Sequence, residues 1–405
     1  VSDLPQPASY ACHWGLDPGV VFLNHGSFGA CPREVLAAQR DWQDRTEREP
    51  VLFLHREIEP LLDAARAELA ALLACDADDL AFVPNASTGV STVLASLPWR
   101  AGDEILVTSH GYNSCRNAAQ LAVERHGARL CTADLPFPIT GPDEVVERVL
   151  AAVTPRTKLC MIDHVTSPTG LVLPVERLVP ALAERGIDTL VDGAHGPGML
   201  PLRLDALGAA YYTGNCHKWL CTPKGCAFLH VRRDRQAGIR PLTISHGANS
   251  PRTDRSRFRL EFDFTGTADY TPFLTLPAAL RFFAKVGGLD QVRAHNHGLT
   301  RIGRDLLCQR LGVAPPAPAT MLGSLAAVPL PPTAAPPVGP LGLDPLQIQL
   351  FEQHRIEVPV FRWSRPPLRL VRIACQIYNS EAQVRYLADQ LAKLPGDSGR
   401  PAGDS

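Results

Sequence analysis

The chain has 405 residues, 45% of them hydrophobic and 20% charged, with a formal net charge of −1. That length holds one large core and a smaller one. The charge balance offers no basic surface for nucleic acid, and no apolar run is long enough to span a bilayer, so neither is an expected partner.

Residues 1–20 read as an irregular arm with no basic-then-apolar leader, so no secretory signal is read there. The 11 cysteines are odd in number and scattered, and Cys160 and Cys226 fall in apolar runs. That is cysteine used as a small apolar residue, which points to a reducing, cytoplasmic setting. Val20 to Leu23 reads as a short strand. It leads into Asn24-His25-Gly26-Ser27-Phe28-Gly29, a glycine turn, and Pro32 opens a helix. From Ile58 to Leu73 the apolar residues fall on one helical face.

Leu80 to Val83 is a strand, and Asn85-Ala86-Ser87-Thr88-Gly89 turns into a helix beginning near Val90. A strand, a small-residue turn and a helix N-terminus make an anion site, with Ser87 and Thr88 as extra donors. A plain N-cap by either hydroxyl would explain the same residues without a ligand. Alternation continues with a strand from Glu104 to Thr108 and a helix from Asn113 to His126, with Tyr112 between them. A helix from Glu144 leads to a strand from Lys158, which ends in Thr166-Ser167-Pro168-Thr169-Gly170. A helix from Val175 leads to Leu190-Val191-Asp192-Gly193-Ala194-His195. Strands alternating with helices predict an α/β fold: a mainly parallel sheet with helices on both faces and ligands at the strands' carboxyl ends.

The run Thr213-Gly214-Asn215-Cys216-His217-Lys218-Trp219 follows another short apolar stretch. A lysine at a strand end beside an aromatic is partly desolvated, which lowers its pKa and frees a nucleophilic amine. Such an amine forms Schiff bases with aldehydes. Asp192 supplies a carboxylate at a neighbouring strand end. An amine, a carboxylate and an anion cradle are what pyridoxal phosphate needs from a protein.

Beyond Phe262 to Asp269, a loop, the chain changes character. Helices are expected from Pro277 and Leu289, and a proline-rich stretch from Pro315 to Pro340 encloses the strand Leu325 to Val328. A helix from Leu346, strands Ile356 to Phe361 and Leu368 to Ala374, and a helix from Ala382 complete a small α+β domain. Arg372, on its last strand, is a candidate clamp for a substrate carboxylate. The expected division is an arm (1–20), a large domain (21–275), a small domain (276–394) and a disordered tail (395–405).

With these residues in place, the chain resembles the class V aminotransferases, pyridoxal-phosphate enzymes of fold type I, in their isopenicillin N epimerase-like branch. The matching segments are Phe22 to Gly29, Asn85 to Thr88, Ser109 to Asn113, Asp163 to Gly170, Val191 to His195, Asn215 to Trp219 and Arg372 to Asn379. The resemblance implies a large domain with a seven-stranded type of sheet. It also implies roles. Lys218 would hold the cofactor as an internal aldimine and move the Cα proton, by way of a quinonoid. Asp192 would pair with the pyridine nitrogen and Tyr112 would stack on the ring. Ala86, Ser87, Thr88, Asn215 and His217 would hold the phosphate, with Ser167 and His195 near the ring. Thr267 would reach the phosphate of a neighbouring subunit, which implies a homodimer with shared sites. Arg372 would bind the substrate carboxylate, and Asn24 and His25 would line the substrate pocket.

The amino acid itself is not legible. Racemisation or epimerisation leads, and it needs an acid opposite Lys218, with His25, His110 or Tyr112 as candidates. A C–S β-lyase and an aminotransferase are the alternatives. Cysteine desulfurase chemistry is disfavoured, because no cysteine lies between Cys308 and Cys375, shortly before Arg372. From another class, Cys216, His217, Cys221 and Cys226 crowd together as zinc binders would. Their spacing lacks a paired C-x-x-C, so no metal site is expected. A non-catalytic scaffold on the same fold is the remaining alternative.

Overall fold

The computed structural model describes residues 4–363 and 369–393; the tail expected to be disordered lies outside them. In chain order the strands are β1 (Val21–Phe22), β2 (Leu80–Val83), β3 (Glu104–Thr108), β4 (Arg129–Ala133), β5 (Thr157–Asp163), β6 (Asp188–Asp192), β7 (Tyr211–Asn215) and β8 (Ala227–Val231). β9 (Leu325–Pro329), β10 (Ile356–Glu357), β11 (Val360–Arg362) and β12 (Arg369–Ala374) follow.

Seven strands form one sheet in the order β2-β8-β7-β6-β5-β3-β4. β4, β3, β5, β6 and β7 pair in parallel, while β8 runs against both β7 and β2. The inner strands are apolar on both faces, as a sheet covered on two sides demands. Period-two alternation divides them between two cores. Leu106, Cys160, Ile162 and Val191 pack with Leu62 and Leu69 of helix Ile58–Leu73 and with Leu178 and Leu182 of helix Val175–Ala183. Ile105, Val107, Leu159, Met161 and Leu190 pack with Val90 and Val93 of helix Ala86–Ser96 and with Ala119 and Val123 of helix Asn113–His126.

Several elements differ from expectation for identifiable reasons. The helix expected near Val90 starts at Ala86, because the Asn85 side chain caps it by accepting from the Thr88 N–H at 2.9 Å. β4 is an edge strand that the sequence hides, since its Arg-Leu-Cys-Thr-Ala run is mostly half-exposed. The strand expected over 356–361 is split into β10 and β11 around Val358-Pro359; proline has no N–H for a ladder.

The C-terminal third forms the antiparallel sheet β11-β12-β9, against which helices Leu289–Leu311 and Glu381–Leu391 pack. The start of the chain joins this unit rather than the large sheet. β1 pairs in parallel with β10, Asn24 bridges to Ala374, and Val21 and Leu23 are buried among Ile356, Val371 and Ile373. The arm is docked as well, with Trp14 edge-on to Phe282 at 5.2 Å and to Tyr378 at 5.1 Å. No helix among the described residues is long and apolar enough to cross a membrane.

Gly193 follows β6 directly, and a Cβ there would lie 2.2 Å from the Tyr212 ring. That ring cannot yield: it is buried, and its hydroxyl is 3.0 Å from His164 Nδ1. Gly193→Ala should therefore cost about 1–3 kcal/mol through overpacking. Urea unfolding should show a lower midpoint with an unchanged slope.

Candidate active site

The carboxyl ends of β3, β5, β6 and β7 surround a cavity of about 340 Å3. Its walls include Tyr112, Asp163, Ser167, Asp192, His195 and Lys218, and at one end Ala86, Ser87, Asn215 and His217. That volume suits a small ligand.

Lys218 follows β7. Its Nζ lies 3.2 Å from His195 Nε2, and Trp219 Nε1 lies 3.2 Å from His195 Nδ1. An indole N–H only donates, so Nδ1 accepts and the proton of the neutral ring sits on Nε2. That N–H then points at the Lys218 nitrogen, an arrangement that favours a lone pair there, the free amine. Burial, with the charge of Arg372, works in the same direction and lowers the Lys218 pKa to about 8, so the free amine becomes the main form just above neutral pH. Burial, with the charge of Lys218, holds His195 well below its ordinary range and therefore neutral.

Asp192 ends β6 with both oxygens engaged. Oδ1 accepts from the Ala194 N–H at 3.0 Å and Oδ2 from the Cys115 thiol at 3.0 Å. Burial and the Asp192 carboxylate push the Cys115 thiol far up, so it stays a donor. Directly across the ladder, at the end of β5, lies Asp163. Burial and the charge of Asp192 raise its pKa well above the carboxylate range. Cys115 and Asp163 were both missed as site residues. Only the register of β5 on β6 brings Asp163 level with Asp192, and Cys115 lies inside a helix of mostly polar sequence.

At the anion end, several expected donors are already used. The Ala86 N–H donates to Asn215 Oδ1 at 2.8 Å, and the Thr88 N–H and hydroxyl both donate to Asn85. Thr88 is absent from the cavity wall. Ser87 remains, joined by Lys224, which lines the cavity and was not anticipated; its Nζ donates to the Gly29 carbonyl at 2.8 Å. His217 Nδ1 donates to the Cys226 carbonyl at 3.0 Å, and burial lowers its pKa to about 4. A phosphate beside Nε2 would favour the protonated ring. The turn carrying His217 and Lys218 packs on Gly29, where φ is +73° and a Cβ would lie 2.1 Å from the His217 carbonyl oxygen.

Arg372 is buried with no carboxylate partner among the described residues. One terminal nitrogen, Nη1, donates to the Ser167 carbonyl at 2.5 Å and to its hydroxyl at 3.2 Å; Nη2 donates to Ser27 and Asn24 at 3.1 and 3.4 Å. Nε has no partner. A buried guanidinium without a counter-anion is costly unless an anion arrives. Asn24 does not line the cavity; it holds Arg372 and Ser27 from behind, with its own amide on Glu357.

Two candidate acids are displaced. His25 is buried behind Lys218, its Nε2 donating to the Lys218 carbonyl at 2.9 Å and its Nδ1 against the Tyr378 hydroxyl at 2.9 Å. His110 is spent on Thr169 and the Leu135 carbonyl. Burial lowers the first to about 3 and the second to about 4, and neither lines the cavity. Thr267 lies apart from Lys218, in a separate groove of about 530 Å3 with Leu54, His55 and His246. The cysteines weighed as zinc binders have other partners: the Cys216 and Cys226 thiols, both free, share a hydrogen bond, and Cys221 accepts from Gln376 Nε2.

A desolvated amine, a fixed carboxylate and the helix start at Ser87 share one cavity, and the Arg372 guanidinium lies behind its Ser27 and Ser167 lining; this set fits pyridoxal phosphate and an amino acid. This is a pyridoxal-phosphate enzyme of fold type I, and its cofactor is pyridoxal 5′-phosphate. The chain belongs to the class-V aminotransferase family, whose model matches residues 30–387. It is 37% identical to the isopenicillin N epimerase of Amycolatopsis lactamdurans, over 94% of this chain and 96% of that one. It is 31% identical to a probable chloroplastic L-cysteine desulfhydrase of Arabidopsis thaliana, over 94% and 84%. The structure of a cystine C–S lyase superposes with a TM-score of 0.75 at 23% identity, over 92% and 97%, which bears on fold alone.

Two outcomes follow for the amine. Only its neutral form attacks an aldehyde, so the rate at which apoenzyme captures the cofactor should rise with pH through about 8 and then level off. Trp219→Phe frees His195 Nδ1 to take the proton, so Nε2 can accept from an ammonium; the break should move to higher pH. Stopped-flow absorbance against pH measures both, and an unchanged break in the variant contradicts the tautomer assignment.

Proposed function

We propose that the protein is an epimerase-like enzyme that inverts the α-carbon of an amino acid. The observation carrying this reading is that Lys218 and Tyr112 enter one cavity from different strand ends, while the other two candidate acids are turned away. Tyr112 is 45% exposed, and burial of the remainder, with the charge of Asp192, raises its pKa, so the phenol keeps its proton near neutrality. Inversion needs that pair: one group removes a proton and another returns one. The similarity to isopenicillin N epimerases over nearly the whole chain supports the same reading.

When bound, the cofactor stores the electron pair of the broken Cα bond. Arg372 would take the substrate carboxylate, with Ser167, Ser27 and Asn24 fixing the guanidinium. His195 favours the base form of Lys218, and Lys218 would remove the Cα proton. Asp192, oriented by the Ala194 N–H and the Cys115 thiol, would hold the ring nitrogen.

A second reading, a C–S β-lyase, is favoured by the desulfhydrase and hercynylcysteine sulfoxide lyase relatives. No cysteine lines the cavity, so such a lyase would release its sulfur product without a protein thiol as carrier. Amino acids incubated in deuterium oxide separate the readings. Epimerisation gives Cα deuterium with loss of configuration; pyruvate with a released thiol or sulfide gives the lyase. Tyr112→Phe should slow formation of the opposite isomer about 100-fold or more while solvent exchange into the starting isomer continues. Equal loss of both would remove Tyr112 as the second acid. Arg372→Met should lower kcat/KM by roughly 30-fold or more, since a charge-paired carboxylate is worth at least 2 kcal/mol.

We also propose a homodimer. Phe28 is 74% exposed at the cavity mouth, and Thr267 sits in an exposed groove away from the chain's own Lys218. A second copy would cover the first and bring the latter to a phosphate. Light scattering of the holoenzyme should give twice the chain mass, and Thr267→Ala should loosen the cofactor without altering that mass. A fully loaded, active monomer excludes the arrangement.

A further inference from the structure

We propose that Asp79, Asp205 and His230 form a binding site for one divalent ion of the zinc class, at the sheet edge opposite the cofactor cavity. The three offer one ligand atom each, all within 4.8 Å of one another. They come from separate parts of the chain. Asp79 closes the turn before β2, Asp205 sits in the short helix Leu204–Leu207, and His230 lies on β8. His230 pairs with Leu80 on one side and Tyr212 on the other. Tyr212 is near the start of β7, whereas Lys218 follows its end, so the two sites lie at opposite ends of one strand.

The observation that points to a ligand is His230 itself. It is only 3% exposed, and neither ring nitrogen has a hydrogen-bond partner among the described residues. Buried polar groups are nearly always satisfied, so an imidazole with two orphan nitrogens calls for a partner. Its Nε2 faces the Asp205 carboxylate at 3.8 Å, too long for a hydrogen bond. An ion between them would meet both. A tetrahedral ion with bonds of about 2.0 Å holds its ligand atoms roughly 3.3 Å apart. The Asp205 side chain is 59% exposed and can swing inward to reach that spacing.

The supports match those of a metal carboxylate. Asp79 is buried and oriented by two bonds to one oxygen: Oδ1 accepts from Gln236 Nε2 and from Arg233 Nε, both at 2.7 Å. Arg233 also pairs with Asp76, so its charge is shared. One imidazole with two carboxylates suits zinc and its neighbours better than magnesium or calcium, which prefer oxygen alone. The open side at Asp205 leaves a position for water. Bound there, the ion would join the β2 turn, the Leu204–Leu207 helix and β8, and so act on stability rather than turnover.

The test uses the holoenzyme after chelator treatment, dialysed to equilibrium against zinc chloride. The 11 free cysteines can also take up zinc, so the reading is a difference between variants. Wild type should hold one more tight ion per chain than Asp205→Ala, whose exposed side chain is not needed for folding. His230→Leu should show the same loss. Zinc should raise the wild-type melting temperature by several degrees and move Asp205→Ala much less. Equal ion counts in wild type and Asp205→Ala overturn the proposal, and so does a site that magnesium fills in preference to zinc.

Discussion

A buried lysine biased toward its free amine is the condition on which the other features depend. Removing an ammonium from water is costly, and proteins usually resolve this by pairing it or neutralising it. Here the second solution is built in through a relay of donors. The Trp219 indole fixes the tautomer of His195, and His195 then presents a proton, not a lone pair, to Lys218. Arg372 adds a positive charge that works in the same direction. Asp192 and Asp163 pull the other way, but they stand at neighbouring strand ends and repel each other. Asp163 yields by holding its proton. The result is a site with one readily deprotonated amine, one guanidinium without a carboxylate partner among the described residues, and one carboxylate held by a backbone amide and a thiol.

The back wall of this site is made by two segments far apart in the chain, 24–27 and 372–378. His25 holds the carbonyl of Lys218, and Tyr378 holds His25. Asn24 and Ser27 hold Arg372, which comes from β12. None of these contacts is local. They explain why polar residues with the right chemistry for a pocket serve as its supports instead.

Reading by strand ends worked where a residue's position along a strand decides its exposure. Lys218, Asp192, Tyr112 and Ser167 are of this kind, since the end of a parallel strand opens toward the ligand edge. It failed where direction depends on a partner far away in sequence. His25 and His110 have the residue type of an acid, yet distant acceptors consume both ring nitrogens. Thr88 has the look of a phosphate donor, but Asn85 starts the helix one turn earlier and takes its hydroxyl. Asp163 carried no local signal, because its significance comes only from facing Asp192 across the ladder.

The pairing of β1 with β10 and the contact of His25 with Tyr378 have a consequence for the order of folding. His25 and Tyr378 are 353 positions apart, and closing so long a loop has an entropic cost before the contact is made. The strands of the central sheet are joined over much shorter stretches, so that sheet can form while the wall behind the reactive lysine is still open. A partly folded chain would then carry the ring-binding face without its clasp, and competence to react arrives only when these distant segments meet.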